Sequence, residues 1–419
     1  MLRKLPEVLR RCGRPARSCA LSSVSSGGSD VSLSLARLAR QSRVQFQAAD
    51  AARTDVEVVP VLSAEDFAFR ISGSSGDVYS LFSIEDEEAG AADEVKTLRI
   101  AKKSGGEAAD LKVQLLLPHT VDLNVAVARG SVSLRDKLEG DVKVVVGRGD
   151  IEVHKVRGRN VSLKTNGGSI EVAALLEGET VRLEAKNGVK CKRLMAGKAD
   201  VKLGKGEGAL ESEFGAIYAS TCNILSTSQS GEARLRVGNV HGYLRVAGEG
   251  LKSVQVESVT GALDVEDSGD KCDVEAHFDS WMSDASSSIL VGGDVRVSLQ
   301  PAAPIDVELH GTKVTLGEGC EFDSSEMDQL DDDYVIFTGE LRAQEGAVAA
   351  ASASSGKINV DSAKDDAMRT SFFMKESASD GEDDEEAKAP RLFVHALRGE
   401  VTLDQLSWMD NIKRKHLKL

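Results

Sequence analysis

Large rings are scarce in this 419-residue chain: aromatics make up 4%, which argues against the ring-rich core of an ordinary globular enzyme. Proline is also sparse, at 7. Positive charge is in deficit, and the net charge of −15 excludes the basic footprint that general nucleic-acid binding needs. No run approaches the ~18 apolar residues of a membrane-spanning helix, so no transmembrane segment is expected. The six cysteines contain no CxxC pair. Cys191, Cys222, Cys272 and Cys320 are therefore expected as reduced core thiols, while Cys12 and Cys19 fall in a segment expected to be removed. Seven scattered histidines show neither HxH nor HExxH spacing, and no glycine loop is followed by the Lys-Ser/Thr of a phosphate loop. No metal or cofactor is expected.

Positive charge is instead concentrated at the start. Arg3, Lys4, Arg10, Arg11, Arg14 and Arg17 face a single acid, Glu7, before Asp30, while Leu2, Leu5, Leu9 and Cys12 fall on one helical face. Basic, serine-rich, acid-poor and amphipathic is the composition of a mitochondrial presequence, and arginines interrupt every run that a secretory signal would need. Residues 1–45 are read as presequence and linker, and the mitochondrion, specifically its matrix, as the address.

Glycine is abundant, at 39, and it is periodic. Gly130, Gly149, Gly168, Gly188 and Gly208 stand 19, 19, 20 and 20 residues apart. Seven and five residues before each comes an aliphatic pair, from Leu123 and Val125 to Val201 and Leu203. After the first three follows a second pair: Val132 and Leu134, Ile151 and Val153, Ile170 and Val172. Period-2 alternation means strands with one buried face, and runs this short exclude βαβ crossovers. A repeat that cannot bury its own aliphatic row must stack on the next, so the spacing predicts an all-β, single-chain parallel β-helix, or β-solenoid, of 19–20-residue coils. Val142, Val161, Val181 and Val201 would form one core ladder of a rod of ten to twelve coils. An antiparallel β-sandwich is the competing fold. A longer step from Gly208 to Gly231 places an insertion near residues 212–229.

Around this core, residues 46–110 are read as N-terminal cap and first strands and 111–370 as solenoid. Residues 371–390, containing the acidic run 377–388, are read as a solvated loop, and 391–419 as last coil and basic C-terminal cap.

The repeated core VDLNVAVARGSVSL, GDVKVVVGRGDIEV and NVSLKTNGGSIEV resembles the "putative adhesin" family, a domain of unknown function, and most nearly its eukaryotic mitochondrial branch. That resemblance implies a right-handed parallel β-helix. It carries no catalytic residues.

Two outward columns remain as candidate sites. Lys143, Ser162, Arg182 and Lys202 are expected to stack in the one basic island of an acidic body, a surface for an anionic partner. Glu152 and Glu171 are expected to stack one coil apart, the carboxylate pair that a carbohydrate-active β-helix would require. The alternative in each case is an ordinary solvated face. Arg148 to Asp150 spells RGD at a turn position. The reading that follows is a non-enzymatic scaffold binding an unknown protein partner, with a carbohydrate-active enzyme or a cell-surface adhesin as alternatives.

Overall fold

The structure is a computed structural model in which residues 28–31, 43–50, 52–62, 68–72, 78–87, 97–103, 110–204, 210–227, 232–281, 285–300, 304–317, 319–331, 333–343 and 390–417 are described. The basic segment 1–27 and the acidic run 377–388 lie outside the described residues.

Alternation produces the expected stacking. Val142 sits beside Leu123 on one side and Val161 on the other, both in parallel, and Val144 likewise beside Val125 and Leu163. Ile151 is flanked in the same way by Val132 and Ile170. Each coil thus supplies one strand to a front ladder and one to a back ladder. The fold is a two-faced parallel β-solenoid, not a sandwich. In spatial order the front ladder runs through 97–102, 43–48, 122–129, 142–148, 160–165, 180–185, 198–203, 221–226, 243–248, 262–267, 286–291, 391–396 and 305–311. The back ladder runs through 111–118, 54–61, 132–139, 151–157, 170–177, 189–195, 211–219, 233–242, 251–261, 273–280, 295–299, 400–405 and 313–316. These rows, about 4.8 Å apart, make a stack roughly 60 Å long.

The core lies between the ladders. Val142, Val144, Val146, Ile151 and Val156 are at most 1% exposed. The expected core row is corrected at its fourth member: Ala199 follows Val181, and Val201 lies beside Leu183. Asn160 to Thr180 is one coil of 20 residues, whereas Thr180 to Lys198 is one of 18, so a count from the turn glycine slips by two. The insertion expected near 212–229 is likewise displaced. Strand Glu211–Ser226 pairs with Lys190–Leu203 at a constant offset of 23 residues, so the added residues come before it in the chain.

Two devices hold the turns. Gly149 adopts φ +138°, and a Cβ there would stand 1.9 Å from the Gly130 carbonyl oxygen. At Gly168 the φ is ordinary, yet a Cβ would still come within 2.0 Å of the Gly149 oxygen. Close approach of successive coils is therefore the requirement that these positions share. Aspartates supply the second device, each accepting from the next coil's backbone. Asp55 accepts from the Ser131 amide and hydroxyl at 2.8 Å each, Asp141 from the Arg159 and Asn160 amides at 2.9 Å, and Asp294 from the Glu400 amide at 2.9 Å.

The ends depart from sequence order. Residues 391–405, expected as the last coil, sit one coil in, between 286–299 and 305–316. The coil formed by 43–61 is likewise flanked by 97–118 and 122–139. Backbone pairing and inward alternation specify a neighbour's shape and not its place in the chain, so a coil on a long connection can fill an interior position. Beyond the outermost coils the strand direction reverses. Ala68–Ser72 and Phe82–Glu87 pair antiparallel at one end, and Tyr334–Leu341 followed by Phe322–Asp331 at the other. Gly28–Val31, within the segment read as presequence and linker, pairs with Ala68–Ser72. The C-terminal helix Trp408–Leu417 covers the side of the stack instead of its end, with Arg414 2.9 Å from Asp404 and 3.4 Å from Glu275.

Gly149→Ala is expected to destabilise the protein by roughly 3 kcal/mol or more, combining backbone strain with a clash against carbonyl atoms that cannot move aside. Urea unfolding followed by circular dichroism measures it, and an unchanged midpoint would contradict the stacking constraint. Acid sensitivity is a second expectation. Burial raises the carboxyls of Asp55 and Asp141, but their bonds to Ser131 and to Asn160 and Arg159, with the nearby arginine charges, outweigh it and hold both below the ordinary value. A depressed folded value stabilises fully above the unfolded carboxylate range near pH 4 and fades as pH falls through the folded value. The urea midpoint of Asp141→Asn should fall less steeply than that of the parent between about pH 4 and pH 2.

Candidate functional site

Register decides which outward side chains are neighbours. On the front face Lys143 stands beside Asn124 and Ser162, Ser162 beside Arg182, and Arg182 beside Asp200. Lys202 is not in this column. It lies beside Glu184, in the adjacent column with Lys164, for the same two-residue reason that displaced Val201. Lys202 nevertheless remains about 8 Å from Arg182 across one row and two residues. Lys164 is neutralised by Glu184 at 2.8 Å, and Lys198 faces Asp200 at 3.8 Å. Lys143, Arg182 and Lys202 are exposed and form no ion pair among the described residues. At the turn edge of the same region, exposed Arg148 stacks directly on Arg129. Their 19-residue spacing, equal to the coil length, is the sequence signal of this pair. Asp150 of that string accepts from the Ser169 amide and hydroxyl at 2.8 Å each, so it serves as a turn residue.

On the back face Glu152 and Glu171 do stack, following Ser133 and preceding Lys190, Glu213 and Arg236. Both are exposed, and Arg135 reaches to 3.9 Å from Glu152 while holding Glu57 at 2.8 Å. Glycoside cleavage places two carboxyls on opposite sides of a sugar, about 5 to 9.5 Å apart. Here the two are neighbours on one open face within a column that alternates in sign further along. The arrangement is that of a solvated face.

The cysteines are core residues. Burial pushes the thiols of Cys191, Cys222 and Cys272 up to about 12, far from the thiolate range a nucleophile requires.

Two polar clusters were missed in the sequence. Ser298 Oγ lies 2.8 Å from His277 Nδ1, and His277 Nε2 lies 3.0 Å from Asp279, off the line of a hydrogen bond. The residue types are those of a nucleophilic triad, but Ser298 is 0% and His277 2% exposed, so substrate has no path to the hydroxyl. His277 and Ser298 are one coil apart, and the repeat period was the clue. The second cluster joins His310, Tyr334 and His395: the Tyr334 hydroxyl is 3.0 Å from His310 Nδ1 and 3.1 Å from His395 Nε2, and His310 Nε2 is 3.0 Å from Glu308. Burial, and then the neighbouring His310, push His395 below the usual imidazole value. No spacing predicts it, because the inserted C-terminal coil alone brings His395 to His310. A shallow groove of about 440 Å³ on the back face is lined by Gln255, Glu275, Arg296, Glu400 and Thr402 among others.

The family model described as Toastrack DUF4097 matches residues 93–312, more than half of the chain. The protein belongs to the Toastrack DUF4097 family. A search of curated proteins found no match. Among solved structures, this Toastrack protein is similar to a "putative lipid binding protein" of Parabacteroides distasonis at 15% identity and TM-score 0.33, covering 65% of this chain and 97% of that one. It is also similar to a "putative adhesin" of the same organism at 12% identity and TM-score 0.30, covering 61% and 97%. A "putative cell adhesion protein" of Clostridium sporogenes is similar at 6% identity and TM-score 0.20, covering 90% and 99%.

In a Toastrack chain carrying Cys12→Ser and Cys19→Ser, a thiol reagent at pH 8 is expected to leave Cys191, Cys222 and Cys272 unmodified until urea is added, with half-buried Cys320 intermediate. Mass spectrometry of the alkylated peptides reads the order.

Proposed function

We propose that this protein is a non-enzymatic scaffold of the mitochondrial matrix that binds an acidic protein partner along the front face of its solenoid. The observation that carries the reading is the selective pairing of cations there. Lys164 and Lys198 are neutralised within the fold, whereas Lys143, Arg182 and Lys202 face solvent without an ion pair among the described residues, in a chain of net charge −15. A rigid row of strands presents these charges at fixed separations, which favours a partner with matched acids and contributes to encounter rate and register more than to raw affinity. RNA fits less well, since the patch lacks the interleaved aromatic rings on which bases stack. The mitochondrial part rests on the six cations opposed by one acid in residues 1–17.

Proximity labelling from the full chain inside cells tests both parts. Labelled proteins should be predominantly mitochondrial, and deletion of residues 1–27, which leaves the strands at 28–31 and 43–48 intact, should abolish that bias. The triple reversal Lys143→Glu, Arg182→Glu and Lys202→Glu should lose an acidic labelled partner by at least tenfold while leaving the thermal midpoint within a few degrees. Labelling that the triple variant leaves intact would overturn the front-face reading.

A further inference from the structure

The coil formed by residues 391–405 is joined to the preceding strand by the chain from 344 to 389, which is 46 residues long. It fills a slot whose two walls come from earlier sequence. On the front face Ser286–Val291 pairs along its whole length with Arg391–Ala396, and Asp306–His310 pairs with it from the other side. On the back face Val295–Leu299 and Lys313–Leu316 flank Glu400–Gln405 in the same way. Leu392, Val394, Ala396, Val401 and Leu403 are each 0% exposed, so the inserted pair completes the core between two otherwise separate parts of the stack.

The slot is specific for this segment. Arg391 pairs with Glu308 on one wall, and Arg398 lies 3.1 Å from Asp270. Glu400 faces Lys313 at 3.4 Å, while its amide donates to Asp294 at 2.9 Å. A strand pair of other sequence would meet these charges unmatched.

The connection is far longer than the site requires. Leu341 pairs with Ile305 and Arg391 with Asp306, so both ends of the connection lie at the same strand. A chain of 46 residues reaches up to about 150 Å when extended, more than twice the length of the stack. Nothing in its length ties the inserted pair to its own slot. During synthesis the sequences of both walls emerge before residues 390–417, and until that pair arrives two strand edges on each face are unpaired.

We propose that residues 390–417 are a strand-pair donor that a second copy of this chain accepts, so that two copies assemble by reciprocal exchange of the C-terminal coil and its helix. Every contact of the exchanged form is already present in the single chain, which makes exchange a low-cost route to a dimer. Intramolecular filling competes through its high effective concentration. Exchange is therefore favoured where copies are made close together and is retained because the exchanged coil leaves slowly.

Paired cysteines in the full chain provide the test. Ser286 and Arg391 are opposed and exposed on neighbouring strands, a separation suited to a disulfide. Ser286→Cys together with Arg391→Cys in one chain, with Cys12 and Cys19 replaced by serine, checks the register by forming the bond on mild oxidation. Two differently tagged full chains, one carrying Ser286→Cys and the other Arg391→Cys, are then co-expressed and oxidised. A disulfide-linked heterodimer carrying both tags, in which peptide mapping finds the 286–391 link, is the expected result. The same two variants expressed separately and mixed after folding should give at least tenfold less. A register bond in the single chain with no heterodimer on co-expression would overturn the proposal, as would failure of the register bond itself.

Discussion

Parallel stacking at strand spacing is the constraint from which the rest of this structure follows. Each coil's backbone donors and acceptors must meet those of the coils before and after it, so the path of one coil dictates the path of the next. Val142, Val161 and Val181 are buried together for that reason. It also explains why Gly149 and Gly168 recur in a column, where one coil's carbonyl occupies the space that the next coil's Cβ would need. The turn aspartates obey the same rule, since Asp141 is useful only because the Arg159 and Asn160 amides arrive directly above it.

A stack built this way has no intrinsic end, and its two outermost coils would expose edges that invite further strands. Here both ends are closed by antiparallel strands, and in both the neighbouring coil is borrowed from elsewhere in the chain. Interleaving has a mechanical consequence. The coil at 305–316 is hydrogen-bonded to 391–405 and not to the body that precedes it in sequence, so it frays only if the inserted coil is also disturbed. The helix Trp408–Leu417 adds a tie across the back face through Arg414. Distant parts of the chain thus become one cooperative unit at the place where a solenoid is ordinarily weakest.

The fold was legible because its signal is redundant. Gly130, Gly149 and Gly168, with their flanking aliphatic pairs, state the same coil three times. Glu152 and Glu171 were placed correctly because their coils share one length. Lys202 was misplaced because a single 18-residue coil moved the register by two, an error invisible to glycine counting but fully visible to pairing. The order of the terminal coils was beyond reach for another reason. Alternation in residues 391–405 marks a coil, yet nothing local to that segment says which neighbours it joins, and so the contact of His395 with His310 had no precursor in the sequence.

Surface chemistry on such a fold is a matter of columns, and columns change character with a shift that leaves the core intact. Moving a strand by two residues keeps inward positions inward, so aliphatic burial tolerates it. The outward consequence is large: Lys202 meets Glu184 where it would otherwise have met Arg182. Coil length therefore tunes which charges neighbour one another while the hydrophobic ladder stays almost constant. That separation allows a solenoid to alter a binding face without rebuilding its core. It also accounts for a sequence that declares its architecture through repeated glycines while its contact surface can be read only from the register.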